Sequence, residues 1–358
     1  MSNKVKIKNI VIGGGNPIAV QSMTNTDTLD TDATKAQLER LQLSGCDIAR
    51  IAVSSDAEVE ACKAYIGSFD MPLVADIQFD YKLAVRCAEI GFDKIRFNPG
   101  NIGDETKVKY TVDACKAHGV PIRIGVNTGS LEKEFAGLKK SDALFESALK
   151  HVRLLEKFGF YDIVISVKSS DVRTTVEAYR KLAANVQYPL HVGVTESGAD
   201  ERGIVRSAVG IGALLVDGIG DTVRVSLSGD PVNEVRAART VLQEIGLDKN
   251  YCEIISCPTC SRCKYDLKST VDELKSATEN IKFPIKLAVM GCVVNGPGEA
   301  ADADFGVAGG GTGGKAALFV RGKVVKTIEV KDIVSELLLL INEKIKSCER
   351  ESNNEQNL

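Results

Sequence analysis

Tryptophan is absent from this chain of 358 residues, and histidine occurs only three times. Its apolar runs, such as LLLLI at 337 to 341, fall far short of the ~20 residues that span a bilayer. The opening MSNKVKIKNI lacks the apolar core of a signal peptide. Excess positive charge is missing too, with 45 Lys and Arg against 48 Asp and Glu. That balance argues against a general nucleic-acid binder, because gripping a phosphate backbone takes a basic surface. The expectation is a cytoplasmic protein with no membrane and no nucleic acid among its partners. Any phosphate recognition should be local.

Cysteine, by contrast, is plentiful. Ten occur, and in a reducing compartment they serve as metal ligands or buried fillers rather than disulfides. Five of them fall between 252 and 292, after a clear change of texture at LDKNY.

Before that change, short β-rich runs alternate with helical stretches. After a hairpin, VKIKNIVIG, the candidate strands are PIAVQSM, DIARIAV, LVADI, KIRFNP, IRIGVN, DIVISVK, LHVGVTE and TVRVSL. Helical stretches such as YKLAVRCAEIG and VNEVRAARTVLQEIG end in Gly, a usual helix stop. Eight such units match a (β/α)8 TIM barrel in count and length. A doubly wound open sheet is the alternative, but it would carry its Gly-rich loop after the first strand, and GGGNP precedes that strand. The reading is α/β: a TIM-barrel substrate-binding domain over 1–250, a small α+β cysteine domain over 251–347, and a frayed tail over 348–358. Within the small domain, ALFVRGKVVKTI reads as a hairpin and IVSELLLLINEKI as a packing helix.

Strands of a parallel barrel are buried on both faces and should be nearly all apolar. These carry Arg50, Asp76, Arg96, Asn98, Arg123, Asn127, Lys168, Thr195, Glu196, Arg224 and Ser226 at their carboxyl ends. Arg96 with Asn98, and Arg224 with Ser226, stand two apart, so each pair shares a face of an extended strand. Salt bridges to the helices would explain any one of these residues. Five cations on five strands are harder to explain so, because clustered like charge is costly to bury. An anionic ligand at the barrel mouth resolves the cost, and Arg forks suit phosphate oxygens. The partner implied is a phosphorylated small molecule. His191, on LHVGVTE, reads more as a satisfied core residue than as a catalyst; His118 and His151 lie in helical stretches, against solvent or neighbours.

CPTCSRC, at 257 to 263, places three thiols at the spacing of an iron–sulfur or zinc site. Cys292 follows in MGCVVNGPGEA, and this domain has no histidine, which disfavours mixed Cys/His zinc. An all-sulfur zinc using Cys263 stays open beside a [4Fe-4S] cluster of three thiolates and an oxygen, which Glu299 could supply. GGGTGGK at 309 to 315 has phosphate-loop spacing, but Ala316 stands where the magnesium-binding hydroxyl belongs, so it reads as a glycine turn.

CPTCSR together with GCVVNGPGEA resembles the bacterial 4-hydroxy-3-methylbut-2-enyl-diphosphate synthases of the methylerythritol phosphate route to isoprenoids. So do VQSMTNTDT, VADIQFD, IRFNPGNIG, RIGVNTGSLEKE, SVKSSDV and GIGDTVRVSLSGDP, and the likeness runs to about residue 345. The resemblance implies a two-domain enzyme that reductively opens 2-C-methyl-D-erythritol 2,4-cyclodiphosphate. Electrons would come singly from a flavodoxin or ferredoxin through a [4Fe-4S] cluster. It assigns the cluster to Cys257, Cys260, Cys292 and Glu299, leaving Cys263 a bystander. It assigns proton delivery or substrate positioning to Glu196 and diphosphate binding to Arg50, Arg96, Arg123, Lys168 and Arg224. Asn98, Asn127, Thr195 and Ser226 become polar neighbours, Asp76 part of the mouth, and Asn295 part of the loop beside the cluster. It further implies a homodimer in which one subunit's cluster domain caps the other's barrel. Gln78 departs from the family pattern, where His is expected, as does Cys263. Two other classes stand against this reading: a pterin-type methyltransferase barrel, and a binding protein with a structural zinc.

Overall fold

β-rich apolar runs form eight parallel strands, and the amphipathic stretches between them form covering helices. The computed structural model describes residues 1–294, 298, 301–310 and 314–355. Its chain forms two compact units, Met1–Leu247 and Asp248–Leu358.

In the first unit an antiparallel hairpin, β1 (Val5–Ile7) and β2 (Ile10–Ile12), precedes the barrel. The barrel strands are β3 (Ala19–Met23), β4 (Ile48–Ala52), β5 (Leu73–Asp76), β6 (Lys94–Phe97), β7 (Ile122–Asn127), β8 (Ile163–Lys168), β9 (His191–Val192) and β10 (Thr222–Val223). They lie in the order β8-β7-β6-β5-β4-β3-β10-β9. A parallel bridge from Ile165 to Leu190 joins the two ends, so the sheet closes as a barrel and is not doubly wound. Asp30, Ser55, Asp80, Asp104, Asp171 and Asp230 each accept a backbone N–H at the start of a helix. Such caps contribute about 1 kcal/mol apiece. Gly91 and Gly119 end two helices in the left-handed region, at φ 101° and 65°.

Two layers of packing fix where a ligand can enter. Outward-facing strand residues such as Ile51, Ile95, Ile124 and Val167 pack against the helices. At the amino-terminal end, Val5, Ile7 and Ile12 of the hairpin pack onto Ala19, Ile48, Val74 and Val164. That apolar plug closes the floor, and the carboxyl-terminal mouth remains.

The last two strands are shorter than the sequence suggests. β9 stops at Val192 and β10 at Val223, so Thr195, Glu196 and Ser226 lie on the segments beyond them. Pairing by alternate strand faces therefore does not apply to Arg224 and Ser226. Asn98 likewise stands one residue past β6, where its side chain accepts from Gly100 N–H and caps a short helix, Pro99–Ile102.

The second unit is a five-stranded sheet, β11 (Cys252–Ser256), β12 (Ile285–Met290), β13 (Phe305–Gly309), β14 (Lys315–Val320) and β15 (Lys323–Glu329), ordered as numbered. The first three run parallel and the last three antiparallel. Arg321 and Gly322, at φ 46° and 73°, turn the expected β14–β15 hairpin. Helices Leu267–Thr278 and Ile333–Glu355 bury Val271, Leu274, Leu337 and Ile341 against Leu287 and Leu318. The final helix thus continues through positions where a frayed tail was expected. GGGTGGK connects two antiparallel strands, with 311–313 outside the described residues, and precedes no helix. Among the described residues no helix is long and apolar enough to cross a membrane.

Candidate functional site

Alternation along the strands turns Arg50, Asp76, Arg96, Arg123 and Lys168 into the barrel. Asp76 sits among the cations. It accepts from Arg96 Nη1 at 2.8 Å and lies 3.6 Å from Arg50 Nε. Burial pushes its carboxyl up, but Arg50 and Arg96 outweigh that and hold it at about 2. Arg50 also directs Nη2 at Met23 Sδ, 2.9 Å away. Arg224 lies 3.4 Å from Glu234 Oε1, and Glu234 is itself held by Ser22 and by Leu227 N–H.

Arg123 is different. It is 1% exposed and reaches only Ser166 Oγ, at 3.4 Å; its Nε and Nη2 have no partner among the described residues. Burial pushes this guanidinium well below its ordinary range, and Arg50 and Arg96 add to the effect. Lys168 Nζ lies 3.3 Å from His191 Nε2, while His191 Nδ1 lies 2.7 Å from Thr222 Oγ1. His191 is therefore a buried, fully engaged interior residue. His151 is buried as well, 2.9 Å from Glu132.

A glycine makes this packing possible. A Cβ on Gly125 would stand 2.4 Å from Arg96 Nε. Gly125→Ala should therefore displace Arg96 from Asp76 and raise KM about tenfold or more, at a stability cost of about 1–3 kcal/mol. Steady-state kinetics beside thermal melts would check this; an unchanged KM would contradict it.

The Asp76 pair has a pH signature. Its folded pKa is depressed below the usual ~3.9, so its contribution is complete above that value and lost as pH falls toward about 2. Asp76→Asn should melt well below wild type at pH 7, and the gap should close between about pH 4 and pH 2. A gap that stays constant through that range would refute the pairing.

Beyond the strand ends, Thr195 N–H donates to Ser169 O at 3.2 Å. Glu196 is exposed at φ 51°, and the other described non-glycine residues at positive φ, Lys8 and Arg321, both sit in hairpin turns. Glu196 has no such turn to explain it, and a left-handed residue there costs about 1–2 kcal/mol. Asn127 ends β7 in register with Lys168 of β8. Gln78 is exposed, next to Phe79 at 72% exposure.

In the second unit, register aligns Ser256 of β11 with Val289 of β12. The loops leaving these parallel neighbours bring Cys257 beside residue 291, whose N–H donates to Cys257 Sγ at 3.2 Å. Cys260 is exposed, and the Arg262 N–H draws its thiol below the ordinary range. Cys292 directly follows Gly291. Cys263 Sγ instead donates to Tyr265 O at 3.2 Å. N–H donors beside thiolates suit an iron–sulfur centre. Among the described residues no three His, Cys, Asp or Glu converge as a single ion would require. A cubane spreads its terminal sulfurs wider than one ion does. Asn295 and Glu299 lie outside the described residues.

Three residues escape a reading confined to strand ends. Lys94, Gln21 and Glu234 are all buried in or against the barrel interior. Lys94 stands two residues before Arg96, so the same alternation would have revealed it.

Known proteins match nearly the whole chain. The GcpE TIM-barrel domain matches residues 2–239, and the GcpE protein C-terminal domain matches 253–343. A 4-hydroxy-3-methylbut-2-en-1-yl diphosphate synthase (flavodoxin) from Caldanaerobacter subterraneus subsp. tengcongensis is 53% identical, over 97% of this chain and 98% of that protein. One of the same name from Clostridium perfringens is 50% identical, over 95% and 98%. Among solved structures, Yersinia pestis dihydropteroate synthase aligns at a TM-score of 0.50 and 13% identity, covering 68% of this chain and 99% of that one, a likeness of fold alone.

Proposed function

Because the chain belongs to the GcpE family, matched over both of its units, we propose that it catalyses the reaction for which its curated relatives are named. It is an oxidoreductase of isoprenoid biosynthesis. It opens 2-C-methyl-D-erythritol 2,4-cyclodiphosphate reductively, with loss of water, to (E)-4-hydroxy-3-methylbut-2-enyl diphosphate. The observation that carries this reading is the set of five basic side chains, four on barrel strands and Arg224 just beyond β10, with Arg123 leaving N–H groups unpartnered. A diphosphate supplies the acceptors they lack.

Arg50, Arg96, Arg123, Lys168 and Arg224 bind the two phosphates and fix the ring for reaction. Asp76, paired with both Arg50 and Arg96, offsets their mutual repulsion and fixes them at the mouth. Asn98, Asn127, Thr195, Ser226 and Asn295 hydrogen-bond the ligand. Glu196, held outward in its strained backbone, positions the substrate or delivers the proton. Cys257, Cys260, Cys292 and Glu299 hold a [4Fe-4S] cluster, which supplies single electrons and a Lewis-acidic iron when bound. The donor is a flavodoxin, as the relatives' names read, or a ferredoxin.

The working unit is a homodimer in the cytoplasm, one subunit's cluster domain covering its partner's barrel. Anaerobic turnover of the cyclodiphosphate with a strong one-electron reductant tests the activity. Product should form with protein that holds iron and acid-labile sulfide. A colourless protein with one zinc per chain and no turnover would overturn the reading.

A further inference from the structure

Lys94 enters the barrel on the same face as Arg96, one step nearer the floor. It is fully buried, and its Nζ has no hydrogen-bond partner among the described residues. Sharing the interior with it are Arg50 of β4, Asp76 of β5, Arg123 of β7, Lys168 of β8, His191 of β9, and Arg224 beyond β10 with Glu234 behind it. Two carboxylates thus face six Lys and Arg side chains. On Lys94 itself act the Arg123 and Arg50 guanidiniums, and no carboxylate offsets them. Burial first, and then those two, push its amine well below the ordinary ammonium range.

An arginine keeps its proton in a protein, so only Lys94, Lys168 and His191 among these basic groups can change charge. His191 has both ring nitrogens engaged, one by Thr222 and one by Lys168. A proton added at Nε2 would point at the Lys168 amine. The same contact commits Lys168. Lys94 alone has an uncommitted lone pair.

We propose that Lys94 is a charge-compensating positioning residue of the anion site: neutral beneath the arginines, it takes one proton from solvent when a diphosphate seats on them. The proposal rests on the anion-site reading above. Its balance is simple: the amine and a water become an ammonium and a hydroxide, and no bond of the ligand breaks. Such a residue also explains why an apolar side chain of similar length does not occupy the position. Opening a cyclic diphosphate creates a terminal phosphate with one more ionisable oxygen, and the ammonium of Lys94 meets that added charge.

Calorimetry of inorganic pyrophosphate binding to anaerobically purified full-length protein, in buffers of different ionisation enthalpy, measures proton uptake. Lys94→Met should take up about one proton fewer per anion than wild type at the same pH and bind about tenfold more weakly. Comparing the two proteins cancels the ionisation of pyrophosphate itself. Equal uptake in a variant that still binds would overturn the assignment. Absence of binding by wild type would instead overturn the anion site, and the proposal with it. The unliganded proteins give a second readout. A lysine depressed in the fold leaves the unfolded chain binding the extra proton, so wild-type stability rises with pH up to about 10.4. Any stability advantage of Lys94→Met at pH 7 should therefore shrink toward pH 10. A constant difference would show that Lys94 is charged in the fold and overturn the proposal, and Lys94→Gln supplies the same comparison if the Met variant does not fold.

Discussion

Arg123→Met should lower kcat/KM by about 10²–10³-fold and leave the fold as stable as wild type, or more so. Loss of one well-placed donor to a developing anion typically costs about 3–4 kcal/mol of transition-state stabilisation. Stability should move the other way because Arg123 gains little from the protein. Among the described residues its side chain makes one hydrogen bond, a 3.4 Å approach to Ser166, and two of its nitrogens are buried without partners. Arg50 and Arg96 repel it as well. An apolar side chain of similar length removes that unpaired buried charge and fills most of its volume. Stability surrendered for a binding group is a recurrent feature of active sites. Anaerobic kinetics and melting curves on one preparation decide the matter. A variant that loses stability in step with activity would make Arg123 a structural residue.

Cys292→Ser should strip the protein of iron and acid-labile sulfide and reduce turnover more than about a hundredfold, whereas Cys263→Ser should keep both. Serine is a poor substitute because its hydroxyl stays protonated where a thiol ionises. The two cysteines flank the same backbone. Cys263 packs so closely on Gly291 that a Cβ there would lie 2.6 Å from its sulfur, yet its thiol donates to the Tyr265 carbonyl. Cys257 accepts the Gly291 N–H, as a metal-bound thiolate would. Metal and sulfide analysis of both variants separates the roles. An empty Cys263→Ser would mean that the third thiol of CPTCSRC is a ligand after all.

Much of the barrel could be read directly, because β3 to β8 are short β-rich runs that alternate with helical stretches and are bounded by turn residues. β9 and β10 could not be delimited, since Gly193 and the residues after Val223 leave the ladder while keeping a strand-like composition. The five cations were legible one strand at a time, as polar residues where a buried strand should have none. What holds them was not. Asp76 pairs across two strands, Glu234 arrives from the helix after β10, and Gly125 yields space to Arg96 from a neighbouring strand. Such contacts depend on register, which composition does not reveal. Lys94 went unread for a simpler reason: it sits at the start of its strand, where a function at the mouth gives no cause to look.

The hairpin beneath the barrel has a consequence for traffic. Val5, Ile7 and Ile12 make the floor a greasy stopper, so among the described residues the charged interior is closed from below. Protons and water that reach the lower residues must pass the arginines first. A diphosphate on the proposed site would then be both occupant and lid, closing over the proton that Lys94 takes up as it seats, and hydrogen exchange of the buried interior groups should slow whenever one is bound.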